Sequence, residues 1–192
     1  MKKTIKTVPA IFPMPVILIA TYNEDGTVDV MNAAWGCAHD YKQVKLNISE
    51  SHQTTKNIRR TGVFTVTVAD VKHVKEADYV GMVSGAQVKD KFAKSGLSAH
   101  KSDLIDAPIL DDFPICMECK ALPCTDEYGV LGEILRLSVD EEFIDKDGKV
   151  DVGGLHIIAY DPFNHGYYVV GEKVGQAFSD GRKLMKWTSI VS

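Results

Sequence analysis

The stretch PVILIATY at residues 15–22 is followed directly by NEDG at residues 23–26. The first is a short apolar run rich in strand-favouring residues, and the second has turn chemistry, because Gly26 readily adopts a positive φ. Residues 28–30 then alternate apolar, polar, apolar, which indicates a return strand. Together these residues predict a β-hairpin.

Further short strands and a few helices follow along the chain. Alternating apolar and polar residues or β-branched runs predict strands at 44–48, 63–69, 115–122, 130–143 and 167–170. Helical spacing or capping residues predict helices at 51–60, 71–83 and 89–94. The first helix has Ser51 or Thr54 as its candidate N-cap and Gly62 at its end.

Turn sequences such as Asp145-Lys146-Asp147-Gly148 join neighbouring strands, so the sheet is expected to be antiparallel. The predicted fold class is mainly β, a closed or partly closed barrel with peripheral helices. Regular alternation of strands and helices is missing, which argues against a Rossmann fold. No Pro/Gly/Ser-rich linker divides the sequence, so residues 1–192 are interpreted as one domain.

Charge and cysteine content limit the possible partners and compartments. The 22 Lys and Arg residues against 26 Asp and Glu residues give a net charge of −4, so no global attraction to nucleic acid or to an anionic membrane is expected. Four cysteines in a chain of 192 residues do not suggest a disulfide scaffold, which favours a reducing, cytoplasmic location. The apolar residues 11–20 contain Pro13 and Pro15, so we expect an extended arm rather than a signal peptide.

A cofactor or metal site would show in the sequence through glycine-rich motifs or through cysteines. The sequence has no dinucleotide-binding glycine fingerprint and no Walker-type run. Cys116 and Cys119 have C-x-x-C spacing, and Cys124 follows, but residues three apart on a strand face opposite sides. The favoured interpretation is buried apolar cysteines with no metal site, while a single redox-active thiol stays open.

The segment Ser51–Ile58 has two interpretations. It follows a strand and opens a predicted helix, where backbone N–H groups attract a phosphate and hydroxyl groups add donors. His52 or Lys56 would add positive charge there. Simple N-capping of the helix explains the same residues.

Several segments, taken in order, resemble the flavin reductase-like family, its flavoredoxin branch in particular. The segments are 15–21, 29–36, 45–49, 54–58, 62–67, 89–92 with 96–97, 116–119 and 167–172. The resemblance spans nearly the whole chain. It implies an FMN-binding split barrel of the Greek-key type, working as a homodimer with the flavin near the subunit interface.

The resemblance also implies a set of cofactor-binding residues. Asn32, Ala33, Ala34 and Trp35 are expected to approach the isoalloxazine ring, largely through backbone groups. The phosphate is placed near Ser49, Ser51, His52, Thr54 and Thr55, with Lys91 as a phosphate or ring partner. Trp35 either stacks on or flanks the ring, or is a core or dimer aromatic; no catalytic residue is assigned.

One departure from the family bears on the electron donor. Many NAD(P)H-dependent flavin reductases carry a Gly-Asp-His motif late in the barrel, whereas residues 126–133 read DEYGVLGE. This favours electron transfer of the flavoredoxin type, with NAD(P)H or a redox protein as donor. A non-catalytic FMN-binding or redox-sensing module is the alternative.

A third possibility is oxidation of a phosphorylated vitamin by FMN. It would need a substrate-phosphate pocket, for which Arg182, Lys183 and Lys186 are candidates, although a solvated basic tail is the favoured interpretation of these residues.

Overall fold

A computed structural model describes residues 1–124 and 129–185 of the chain. Within these residues it has three α-helices and twelve strands. The α-helices are α1 (Gln53–Thr61), α2 (Val74–Met82) and α3 (Lys91–Ser95). The strands are β1 (Met14–Pro15), β2 (Ile17–Tyr22), β3 (Val28–Ala33), β4 (Gly36–Asp40), β5 (Gln43–Leu46), β6 (Val63–Val68), β7 (Ala99–Lys101), β8 (Pro108–Leu110), β9 (Ile115–Leu122), β10 (Val130–Val139), β11 (Ile158–Asp161) and β12 (Gly166–Val169).

Seven strands form one curled antiparallel sheet in the order β3-β2-β6-β9-β10-β5-β4. The predicted opening hairpin is confirmed, since Ile17 pairs with Ala33 and Tyr22 with Val28. A second sheet has the order β1-β11-β12, so the C-terminal hairpin docks on the start of the chain. The prediction of a mainly β, antiparallel, split-barrel architecture is confirmed.

The strand β2 lies between two hydrophobic cores. Ile17 and Ile19 pack into one cluster with Phe64 and Leu46, whereas Leu18 packs on the other face. Both faces are buried, which explains why the strand is continuously apolar instead of alternating. At about 25 cal/mol per Å² of apolar surface removed from water, such side chains dominate the stability of the barrel.

The helices confirm the predicted positions with small shifts at their ends. Gly62 ends α1 with φ of 73°, the left-handed conformation that glycine adopts at little cost. The expected N-caps Ser51 and Thr54 were wrong: α1 begins at Gln53, and His52 occupies the N-cap position. Thr54 is instead directed to another partner, described below.

The strand predictions were incomplete: β7, β8 and β11 were not predicted, and two further differences lie in the seven-stranded sheet. The predicted strand 130–143 ends at Val139, because a 3-10 helix follows at Glu141–Phe143. The strand β4 was not predicted, since most of its residues are exposed and show no apolar alternation. The turn at 145–148 is confirmed, with Gly148 at φ of 75°.

The two cysteines of β9 are buried, as predicted. Cys116 and Cys119 lie in β9 and are buried, and Cys119 belongs to the core cluster of Phe64. No disulfide joins any of the four cysteines, all of which are described. In residues 1–124 and 129–185 no group of three or more His, Cys, Asp or Glu side chains is placed to hold a metal ion.

No helix in this part of the chain is long and apolar enough to cross a membrane.

Candidate functional site

A cavity of about 370 Å³, here called the main cavity, lies where three segments meet. They are the connection between β3 and β4, the residues that lead from β5 into α1, and the C-terminal end of α2 with the loop after it. Ligand pockets in proteins commonly have volumes of roughly 300–1,000 Å³, so this one suits a small molecule. Its lining residues are Asp29, Met31, Asn32, Ala33, Ala34, Trp35, Asn47, Ile48, Ser49, His52, Gln53, Thr54, Val80, Gly81, Met82, Val83, Ser84, Gly85 and Lys91.

One end of the main cavity is the N-terminus of α1. The first backbone N–H groups of a helix have no acceptor inside the helix, and in the described residues His52 makes no side-chain capping bond to them. The first turn carries no acidic residue. The hydroxyl groups of Ser49 and Ser51 lie 2.8 Å apart at the rim. Such an end attracts an anion.

The floor of the main cavity holds a buried ion pair. Lys91 Nζ lies 3.8 Å from Asp29 Oδ1, and both side chains are at most 4% exposed. Lys91 Nζ also donates to the Val80 carbonyl oxygen at 3.4 Å. Burial lowers the pKa of Lys91, and the nearby Asp29 carboxylate opposes that shift.

Asp29 also organises the neighbouring segments. The Thr54 hydroxyl donates a hydrogen bond to Asp29 Oδ2, which ties α1 to β3. On the other side Gly85 comes so close that a Cβ there would lie 2.4 Å from Asp29 Oδ1. A side chain at residue 85 would therefore displace the Asp29 carboxylate at the cavity floor.

The opposite wall is the Asn32–Trp35 segment. The Asn32 side-chain amide donates to the Ala77 carbonyl oxygen at 2.9 Å, which fixes the end of β3 against α2. Because this amide is engaged with α2, the segment offers mainly backbone groups to the cavity. Trp35 is 49% exposed, so the interpretation of Trp35 as a core aromatic is wrong.

A second cavity of about 240 Å³, here called the hairpin cleft, adjoins the main cavity. The two share the Asn32–Trp35 segment, Gly81 and Met82. The far side of the hairpin cleft comes from α2 and from the β11–β12 hairpin. Its remaining lining residues are Val16, Asp78, Tyr160 and Tyr167.

The structure brings eight of the ten predicted cofactor-binding residues to the main cavity. They are Asn32, Ala33, Ala34, Trp35, Ser49, His52, Thr54 and Lys91. Lys56, considered as a source of positive charge, does not line it.

The other two predicted residues lie beside the cavity. Ser51 is exposed, and its hydroxyl forms a hydrogen bond with the Ser49 hydroxyl. Thr55 is fully buried, and its Oγ1 has no hydrogen-bond partner among the described residues.

Sequence reasoning missed two parts of the site. Asp29 was interpreted as a polar residue of a half-buried strand, yet it is 3% exposed. Residues 80–83 were treated as the end of a helix, and residues 84–85 were given no role. Gly81 within the helical pattern and Gly85 after it were the available signals of a close backbone approach.

Comparison with known proteins identifies the family. The sequence model described as "Flavin reductase like domain" matches residues 10–154, which include every residue that lines the main cavity. The chain belongs to the flavin reductase-like domain family. The match ends before β11, so the hairpin that closes the cleft lies outside it.

Solved structures of similar proteins agree with this assignment. Flavoredoxin of Desulfovibrio vulgaris (Miyazaki F) is 32% identical to this chain. The TM-score is 0.88, and the match covers 94% of this chain and 100% of the flavoredoxin chain. Flavoredoxin from Methanosarcina acetivorans is 26% identical, with a TM-score of 0.82 over 96% and 100%.

A third structure supports the fold alone. It is an FMN-binding domain of a flavin reductases-like enzyme from Shewanella baltica, 20% identical, with a TM-score of 0.75 over 84% of this chain and 88% of that one. The predicted family is therefore confirmed for this chain, and its members support a flavin-associated redox role.

Proposed function

We propose that this chain is an FMN-binding oxidoreductase of the flavin reductase or flavoredoxin type, which passes electrons through a flavin held in the main cavity. The observation that carries the proposal is the arrangement of that cavity. A helix N-terminus without a side-chain cap among the described residues forms one end, and the Asn32–Trp35 segment forms the other. The family match and the flavoredoxin structures support the same function.

The phosphate of FMN is proposed to bind at the start of α1. The backbone N–H groups of Gln53 and Thr54 and the hydroxyl of Ser49 are the donors, and His52 lies at the rim. The Thr54 hydroxyl donates its proton to Asp29, so its oxygen can only accept a hydrogen bond from a further group. Thr55 does not line the cavity, but its buried hydroxyl has no partner in the described residues, and the proposal includes a contact with the phosphate that would offset its desolvation.

The isoalloxazine ring is proposed to lie against the Asn32–Trp35 segment, with Trp35 flanking it from the exposed side. Met82 and Val83 give the opposite wall an apolar surface that excludes water from the ring. The buried Lys91 holds the C-terminal end of α2 through the Val80 carbonyl. A bound flavin supplies the electron-transfer chemistry, while these residues set its position and surroundings.

The electron donor is proposed to be NAD(P)H or a redox protein. The position where related reductases carry Gly-Asp-His falls partly on residues 125–128, which lie outside the described residues. Lys186 of the basic C-terminal segment also lies outside them, so the vitamin-oxidation alternative stays untested there.

A homodimer in a reducing, cytoplasmic compartment is part of the same proposal. An apolar groove of about 300 Å³ lies between β1 and the β4–β5 hairpin. Ile17, Leu46 and Met117 line it, and the exposed Tyr41 stands at its edge. A second copy of the chain is a fitting cover for such a surface. Light scattering that finds a flavin-loaded monomer would contradict the dimer.

The proposed function is tested by absorbance spectroscopy. The purified protein is mixed with FMN, desalted, and then treated anaerobically with NADH and with NADPH. Retained flavin bands that bleach establish a nicotinamide-dependent reductase. Retained bands that bleach with dithionite but with neither nicotinamide favour a redox-protein donor or the non-catalytic module. Loss of all flavin on desalting contradicts the proposal of a tightly held cofactor.

A further inference from the structure

The hairpin cleft has no role in the proposed binding of FMN, yet it shares a wall with the main cavity. Asn32 and Trp35 face both spaces, as do Gly81 and Met82. A molecule in the cleft would therefore lie directly beside whatever occupies the main cavity. With a volume of about 240 Å³, the cleft suits one small ring better than a second flavin.

The walls of the cleft are aromatic on two sides. The ring centroids of Tyr160 and Tyr167 lie 6.2 Å apart, and Trp35 stands half-exposed at the opposite edge. Aromatic side chains with ring centroids at about 4.5–7 Å from a partner ring favour offset-stacked or edge-to-face contacts. A planar ring is thus the ligand shape that these walls favour.

The charge of the cleft comes from Asp78. The Tyr167 hydroxyl donates to Asp78 Oδ1 at 2.8 Å, which fixes the carboxylate in the wall. Among the described residues that line the cleft there is no Lys, Arg or His. The site is therefore an acceptor of hydrogen bonds with a negative field, and it disfavours an anion.

We propose that the hairpin cleft binds the ring of the second reactant, the molecule that gives electrons to the flavin or takes them from it. Asp78 makes the cleft select rings that bear an amide, amine or cationic donor group over rings that bear a carboxylate. The proposal rests on the proposed function for the presence of the flavin. The cleft itself is formed by protein residues and can be tested without one.

The test uses three ring probes that differ in charge: benzamidine, benzamide and benzoate. Each is titrated into the FMN-loaded protein and into the apoprotein, and binding is followed by the NMR signal of the Trp35 indole, assigned with Trp35→Phe. The expected order of affinity is benzamidine, benzamide, benzoate, with roughly tenfold or more between the first and the last because the hydrogen bond to a carboxylate is charge-assisted.

Variants show whether Asp78 is responsible. Asp78→Asn is expected to bring the benzamidine-to-benzoate ratio close to one. Glu76→Gln on the same helix removes the same charge outside the cleft and should leave the ratio unchanged. If Asp78→Asn fails to fold, Tyr167→Phe keeps the carboxylate and removes its partner, so it should preserve or increase the preference for benzamidine.

The outcomes separate the two proposals. Benzoate binding as tightly as benzamidine, an unchanged ratio in Asp78→Asn, or no binding of any probe overturns the cleft proposal. A preference that survives in the apoprotein while FMN fails to bind refutes the proposed function and leaves the cleft standing.

Discussion

The ammonium group of Lys91 lies 3.8 Å from the carboxylate of Asp29, with both side chains almost completely buried at the floor of the main cavity. Removal of one partner leaves the other charge buried without compensation, which typically costs about 3–5 kcal/mol. We therefore expect Lys91→Met to lower the free energy of unfolding by about 3 kcal/mol, measured by urea denaturation.

The double variant Asp29→Asn with Lys91→Met removes both charges and should recover a large part of this loss. Lys94→Met is the matched control, because its partner Asp90 is 59% exposed and such pairs contribute less than about 1 kcal/mol. Equal losses in Lys91→Met and Lys94→Met would show that the buried pair is not stabilising.

The fold could be predicted from the sequence wherever the burial of a strand leaves a recognisable pattern of apolar residues. The segment 15–22 is apolar on both faces because β2 lies between two cores, and β9 was predicted with its observed ends. The strand β4 escaped prediction because it is exposed, and its pairing with β5 is what makes residues 36–40 a strand.

The site could be predicted in part for a related reason. Residues 51–55 carry the local signal of a helix start, and residues 32–35 were placed by the family resemblance, whereas the contact of Gly85 with Asp29 joins positions 56 residues apart. A glycine can signal a close approach, but no local pattern shows which distant residue it approaches. The burial of Asp29 likewise depends on Thr54 and Lys91 arriving from elsewhere in the chain.

The Thr55 hydroxyl has no hydrogen-bond partner among the described residues, so its removal is predicted to have opposite effects on stability and on binding. Thr55→Val removes a buried polar group, so the apoprotein should gain up to about 1 kcal/mol in free energy of unfolding. If the hydroxyl serves the FMN phosphate, the Kd for FMN should rise about fivefold. Fluorescence titration and urea denaturation measure the two quantities.

Thr61→Val is the control for that experiment. The Thr61 hydroxyl donates to the Asn57 carbonyl oxygen at 3.0 Å, so its loss should destabilise the protein by about 1 kcal/mol and leave FMN binding unchanged. A loss of stability in Thr55→Val as large as in Thr61→Val would contradict the assignment of an unpaired hydroxyl.

The buried cysteines are predicted to resist thiol reagents. Burial raises the pKa of both Cys116 and Cys119 to about 12, so at pH 8 their thiolate fraction is on the order of 10⁻⁴. Modification at pH 8 followed by peptide mass mapping should label the exposed Cys37 in the native protein, and Cys116 and Cys119 after unfolding in urea. Labelling of the 115–122 peptide in the native state at the rate of Cys37 would refute this.

The phenol of Tyr167 should ionise late. Burial, followed by the hydrogen bond to Asp78, raises its pKa to about 12. Because the folded state favours the protonated phenol, the associated stability is present below about pH 10 and is lost as the pH rises through about 12.

Absorbance titration at alkaline pH should show this late transition, and Tyr167→Phe should remove it. Tyr168→Phe, at the neighbouring surface position, should leave it in place. If Asp78→Asn does not lower the pKa of Tyr167, the hydrogen bond is not a cause of the shift.

The central claim is that the main cavity binds FMN with its phosphate at the start of α1, and a comparison of FMN with riboflavin tests it most directly. Both flavins are titrated into the apoprotein, and binding is followed by quenching of flavin fluorescence. The account predicts that FMN binds at least about tenfold more tightly than riboflavin, because the helix N-terminus contributes charge-assisted hydrogen bonds to the phosphate alone. Equal affinities for the two flavins, or binding of neither, would contradict it.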